Sequence, residues 1–208
     1  MENKESYIQE LAEIRKMMDR SSKFLSLAGW SGIMAGLYAL IALYLFKFYY
    51  LDNSAVMFSY DSQSKGVPNH IAELIVFGLI LFVVAVGTAI LLSRRKAKKR
   101  AERMWNSVTR RLVIEMAIPL LSGGGLVLIL IFHGIYTLIV PVLLIFYGLS
   151  LISASRYTVG EVRYLGFMEI ILGLICAILP SLGLVMWGIG FGILHIVYGF
   201  VMHWRYER

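Results

Sequence analysis

Apolar side chains run along this chain in long blocks rather than in alternation. Six blocks stand out, at 25–46, 71–92, 112–132, 136–154, 164–179 and 182–203. Most reach the ~20 residues that a helix rising ~1.5 Å per residue needs to cross ~30 Å of hydrocarbon. The fifth is shorter and is expected to tilt little or to end inside a bundle. The outer joins are very short, apart from the one at 47–69. This pattern predicts an all-α polytopic membrane protein, with six transmembrane helices arranged as three helical hairpins in a domain covering 23–208. Ahead of it, Tyr7, Leu11, Ile14 and Met18 recur at helical spacing and predict a cytoplasmic amphipathic helix over 1–22. Ser21 and Ser22 are placed to cap a new helix from Lys23. Two roles stay open for the first helix: lying on the bilayer or its own bundle, or docking a partner or second protomer.

Composition agrees with that class. Of 208 residues, 59% are hydrophobic and 16% charged, against about 25% charged in a soluble domain. A mean hydropathy of +0.73 excludes a secreted disulfide scaffold, a disordered tail and a soluble enzyme. A single cysteine, Cys176, rules out an intrachain disulfide. The first residues are charged helix formers, so no signal peptide is expected.

Charge adds orientation. Eighteen of the 20 Lys and Arg residues fall in the N-terminal arm, the second-to-third join, the fourth-to-fifth join and the C-terminal tail. Only Lys47 and Lys65 fall on the other side. The asymmetry predicts N-in/C-in topology. Nine of the basic residues crowd into the segment 94–111, where Arg94, Arg95, Lys96, Lys98, Lys99 and Arg100 are candidate contacts for anionic lipid headgroups or a cytoplasmic protein partner. The net charge of +7 is thus read as topology, and no nucleic-acid partner is expected. Phe46, Phe48, Tyr49 and Tyr50 suit one membrane interface, and Trp105, Tyr157, Tyr164, Trp204 and Tyr206 the other. Homo-oligomerisation through glycine stripes is a further possibility that internal packing would equally satisfy.

The run EIRKMMDRSSKFLSL at 13–27, followed by SGIMAGLYAL at 31–40, resembles uncharacterised six-helix integral membrane proteins of the Bacteroidota type. That resemblance covers about the first fifth of the chain. It implies a bacterial inner (cytoplasmic) membrane location and brings no activity with it. The hairpin layout and glycine content are also similar to the small six-helix bacterial acid-resistance membrane proteins, a likeness of architecture alone.

Candidate chemistry gathers in the last two hairpins. The third and fifth blocks each carry a glutamate near their start, Glu115 and Glu169, and the fourth and sixth each carry a Tyr-Gly pair, Tyr147-Gly148 and Tyr198-Gly199. The segments IFYGL and IVYGF around those pairs suggest parallel repeats. Glu169 and Tyr198 fall at similar depth on antiparallel neighbours, and His195 shares a face with Tyr198 at i, i+3. A Glu169–His195–Tyr198 cluster is therefore expected, with Glu115 and Tyr147 secondary. Gly166, Glu169, Gly173, Cys176 and Pro180 form one small-residue stripe, and Gly188, Gly192, His195 and Gly199 another. Together they predict a shared close contact between the fifth and sixth spans. A carboxylate in hydrocarbon either pairs or takes up a proton, so Glu169 beside His195 would form a pair able to exchange one. The same residues would also serve as a plain interhelical hydrogen bond.

Three further groups carry weaker signals. Arg111 precedes Glu115 by four residues and is placed to pair with it. Pro119 with Gly123, Gly124 and Gly125 predicts a kink, a hinge or a close crossing in the third span. His70, Glu73 and His133 lie at the same level and could hold a metal, with satisfied interfacial groups as the simpler account. No Walker loop, HExxH or dinucleotide fingerprint occurs. Ser122-Gly123 lacks the Gly-x-Ser-Gly of intramembrane serine proteases, because Leu120 holds the glycine position. Neither an enzyme nor a cofactor is expected. The leading expectation is movement or sensing of protons or small solutes. The alternative is a non-catalytic scaffold or regulator that works through the N-terminal helix and the basic segment.

Overall fold

The computed structural model describes residues 29–48, 71–99 and 105–206. The expected N-terminal helix, the serines expected to cap the helix after it, most of the long 47–69 join, His70 and Arg100 lie outside the described residues. Within them the chain is all-α. It forms α1 (Gly29–Phe46), α2 (Ile71–Lys99), α3 (Ser107–Phe132), α4 (Ile139–Ala154), α5 (Glu161–Ile178) and a composite sixth span. That span is built from α6 (Gly183–Trp187), a π-helical segment (Gly188–Leu194) and α7 (His195–Tyr206). This is a polytopic membrane protein of six packed helices, five of them long and apolar enough to cross a bilayer. The sixth, α5, is 18 residues long, and Glu161, Arg163 and Glu169 dilute its apolar stretch.

The basic segment 94–111 is less of a loop than its composition predicts. Lysine and arginine are good helix formers, so α2 runs on through Arg94, Arg95, Lys96 and Lys98 to Lys99. Its 29 residues span about 44 Å, well beyond the hydrocarbon. α3 starts before its apolar block, because Asn106 adopts extended backbone and its side-chain oxygen accepts from Thr109 N at 2.8 Å, a standard N-cap. Arg110 and Arg111 therefore belong to the first turns of α3.

At its other end α3 closes on Gly134, whose φ of 72° is one that L side chains rarely adopt. Gly134 N–H donates to Ile131 O and Ile135 N–H to Leu130 O. These are the two bonds of a Schellman stop, and α4 follows after a single 3-10 turn. Between those ends α3 runs unbroken through Pro119. The close crossing expected over Gly123–Gly125 occurs at one glycine. Gly123 lies against Phe146 of α4, while a Cβ on Gly124 or Gly125 would meet nothing within 4 Å.

Glycines decide which helices touch. On α4 and α5, Gly148 and Gly166 face each other: a Cβ on either would lie 2.6–2.7 Å from the other's carbonyl oxygen. Gly173 packs one step further along, against Ile145 and Pro141. On α1, Gly29, Gly32 and Gly36 lie against the backbone of the sixth span at Gly199, His203 and Gly192. α2 rests on α1, where Tyr38 and Thr88 hydroxyls approach to 3.4 Å. The expected shared contact between the glycine stripes of the fifth and sixth spans is thus not how they are used. Each stripe is buried, but one packs on α4 and the other on α1. The fifth and sixth spans meet instead through an apolar core of Val162, Leu165 and Met202 and through polar groups, including a 2.8 Å ion pair from Arg205 to Glu161 at one end.

Large apolar side chains point outward over the whole bundle: Leu121, Phe132 and Ile178 are all at least three-quarters exposed. In lipid such a surface is solvated by acyl chains rather than being a liability.

Candidate functional site

Helix α5 turns Gly166, Glu169, Gly173 and Cys176 to one buried face. Because the glycines of that face dock on α4, the helix cannot rotate Glu169 outward, and its side chain is 0% exposed. The same contact fixes α4. Gly148 sits on Gly166, so its neighbour Tyr147 is carried to the edge of the α4–α5 groove beside the sixth span.

The sixth span supplies the third group. His195 begins α7, directly after the π-helical segment, and is 6% exposed. Single π segments widen a helix by one residue per turn and often mark functional positions. Here the segment carries Gly188, Gly190 and Gly192, all buried. Gly188 and Gly192 receive Leu43 and Leu40 of α1, while Gly190 faces Glu169 and Leu144.

These elements bring three polar side chains into line. His195 Nδ1 lies 2.9 Å from the carbonyl oxygen of Gly190 and 3.5 Å from Glu169 Oε1. On the other edge of the ring, Nε2 lies 2.7 Å from the Tyr147 hydroxyl. A carbonyl can only accept, so Nδ1 carries the proton that it donates to Gly190. In the neutral ring Nε2 is then an acceptor, and Tyr147 O–H donates to it. Aromatic rings brace the imidazole: Tyr147 stacks at 5.4 Å between centroids and Phe191 at 6.0 Å, with Trp187 against Phe191 at 5.6 Å. Neither oxygen of Glu169 has a hydrogen-bond partner within the described protein. A buried carboxyl lacking such bonds is costly to keep and is poised to gain a proton or a shorter contact to His195.

The phenol bonded to His195 is therefore Tyr147, whereas the i, i+3 relation singles out Tyr198. Tyr198 packs together with Tyr147 and Leu194 on a core of Leu151, Val159, Val162, Leu165 and Met202, with its hydroxyl buried. Glu115 is half-buried on α3, and among the described residues no ion pair joins it to Arg111 or to the site. His133 and Glu73 are exposed, and among the described residues no group of three His, Cys, Asp or Glu side chains is gathered for a metal. Arg94, Arg95 and Lys98 are exposed along α2, open to an anionic surface. Sequence reasoning missed Gly190, which lies between the two glycines of its stripe. Its role depends on the π segment, which no spacing rule at 3.6 residues per turn reveals.

No family model matches this chain, and no curated protein or solved structure matches it either.

Proposed function

We propose that this protein moves or senses protons, or a small solute coupled to them, across a bacterial inner membrane, with Glu169 as the proton-binding group. The observation that carries the reading is the row Glu169–His195–Tyr147, in which a fully buried carboxyl without hydrogen bonds stands 3.5 Å from an imidazole that is itself bonded to a phenol. An intramembrane carboxyl is expensive and is most often found on an ion or proton route. The row supplies one. A proton arriving at the Tyr147 hydroxyl lets that hydroxyl pass its own proton to Nε2. The ring, now cationic, releases its Nδ1 proton to Glu169 carboxylate. The cationic ring is paired with the carboxylate, and both charges vanish when the proton reaches Glu169, which limits the cost of the intermediate.

The N-in/C-in orientation belongs to the same proposal. The ends of α2, α3, α5 and the sixth span that carry Arg94, Arg95, Arg110, Arg111, Arg163 and Arg205 would face the cytoplasm. Proton flux into proteoliposomes under imposed pH and voltage gradients tests the function. Flux in the wild type that Glu169→Gln abolishes, with the variant folded, is expected. No flux in the wild type, or full flux in the variant, would sink the reading. In that event the exposed basic residues of α2 favour a scaffold bound to anionic lipid or a cytoplasmic partner.

A further inference from the structure

We propose that Gly190 is a positioning residue that sets the resting tautomer of His195 and seats the Glu169 carboxyl beside it. Two separate contacts converge on this one residue. Its carbonyl oxygen accepts from His195 Nδ1 at 2.9 Å, five residues along the same span. Its missing side chain makes the seat, since a Cβ there would fall 2.5 Å from Glu169 Oε2 and 2.8 Å from Leu144 Cδ2. Glu169 is 0% exposed and Leu144 likewise, so neither has open space to retreat into.

The neighbouring glycines of the π segment show that this is particular to position 190. A Cβ on Gly188 would meet Leu43 first, and one on Gly192 Leu40, in each case the branched end of a side chain from α1. Those two glycines serve helix packing, and Gly190 serves the polar site. The carbonyl has a chemical consequence. It can accept but never donate, so the tautomer with a bare Nδ1 would set two lone pairs against each other across 2.9 Å. The ring therefore rests with its proton on Nδ1 and its lone pair toward Tyr147. In this state it is ready to receive on the Tyr147 side and give on the Glu169 side. A transfer leaves the proton on Nε2 and a bare Nδ1 against the carbonyl, so the carbonyl makes the transferred tautomer the less favourable of the two.

The consequence for flux rests on the proton-relay reading, but the tautomer can be measured without it. The experiment is nitrogen-15 NMR of histidine-labelled full-length protein in lipid nanodiscs, with the His195 signals assigned by their loss in His195→Gln. In the wild type, a protonated Nδ1 and a bare Nε2 are expected. In Gly190→Ala, with the carboxyl pushed off its seat and the span displaced, that preference should fall by about tenfold, the scale of one buried hydrogen bond. Gly188→Ala should leave it unchanged. Combining Gly190→Ala with Glu169→Asp, which shortens the acid by one methylene, should restore it in part. A bare Nδ1 in the wild type would overturn the proposal whether or not any variant folds. So would a Gly190→Ala spectrum identical to the wild type. If the tautomer shifts and proton flux does not, the positioning role stands and it is the transport reading that fails.

Discussion

The hydroxyl of Tyr147 lies 2.7 Å from Nε2 of His195, across 48 residues of sequence and between two different helices. The bond exists because of a contact that involves neither side chain. Gly148 and Gly166 let α4 and α5 approach until each backbone nearly touches the other, and this sets the depth at which Tyr147 meets the sixth span. Packing by small residues thus places the polar row, and the polar row in turn adds to the apolar contact between the fifth and sixth spans.

Tyr147 and Tyr198 should consequently separate on mutation, although their surrounding sequences are alike. Tyr147→Phe removes the donor to Nε2 and leaves a buried acceptor unpaired, which costs about 1–3 kcal/mol of stability. Proton flux should fall by about tenfold or more, in line with loss of a proton-transfer group. Tyr198→Phe should retain most of the flux. The check is flux per folded protein for both variants; equal losses would place Tyr198 on the route.

Glu169 should show a conflict between stability and activity. Both its oxygens are buried without hydrogen bonds, so the carboxyl contributes little to folding beyond its contact with His195. Replacing a poorly satisfied buried ionisable group by an apolar one of similar volume is often neutral or stabilising, by about 1–4 kcal/mol. Glu169→Met is therefore expected to melt no lower than the wild type in detergent while showing no flux. Glu169→Ala should melt lower, because it opens a cavity beside Gly190 at a fully buried position. A Met variant far less stable than the wild type would show that the carboxyl is structural.

The lone cysteine makes orientation directly measurable. Cys176 is 0% exposed, so a membrane-impermeant maleimide should leave the wild type unlabelled. Arg95→Cys, on the exposed end of α2, should label only when the cytoplasmic face is open. His133→Cys, at the exposed end of α3, should label from the opposite side. The reverse pattern would invert the topology derived from charge.

Much of this architecture is legible in the sequence, because hydrocarbon imposes a strong constraint on composition. Helices in lipid need long apolar runs, so six blocks give six helices, and the buried faces of Gly166–Glu169–Gly173–Cys176 and Gly188–Gly192–His195–Gly199 follow from helical spacing. Which face meets which helix is not written in the spacing. A small-residue stripe says that something comes close but does not name the partner, and so the stripes of the fifth and sixth spans suggested each other when they pack on α4 and α1. The choice of Tyr198 over Tyr147 came from the same source, since adjacency along a helix can be read and adjacency across a bundle cannot. Gly190 was hidden for a third reason. A π segment breaks the 3.6-residue period on which stripe reading depends.

The glycines also separate those that hold the bundle from those that only line it. Gly148 admits no Cβ without moving the backbone of α5, since the nearest obstacle is the Gly166 carbonyl oxygen at 2.6 Å. Backbone cannot rotate away as a leucine tip can. Gly148→Leu must therefore force α4 and α5 apart, and overpacking of this kind costs about 1–3 kcal/mol or more. The separation should also carry Tyr147 away from His195, so stability and flux should fall together. Gly124 and Gly125 lie on the outer face of α3, with nothing within 4 Å of an added Cβ. There the larger side chain meets only lipid, and alanine improves helix propensity by about 1 kcal/mol per site. Gly124→Ala and Gly125→Ala should keep full flux and melt at or above the wild-type temperature. If instead either lowers flux with the fold intact, α3 must bend at these glycines as the protein works, and the Pro119–Gly125 stretch would be a hinge after all.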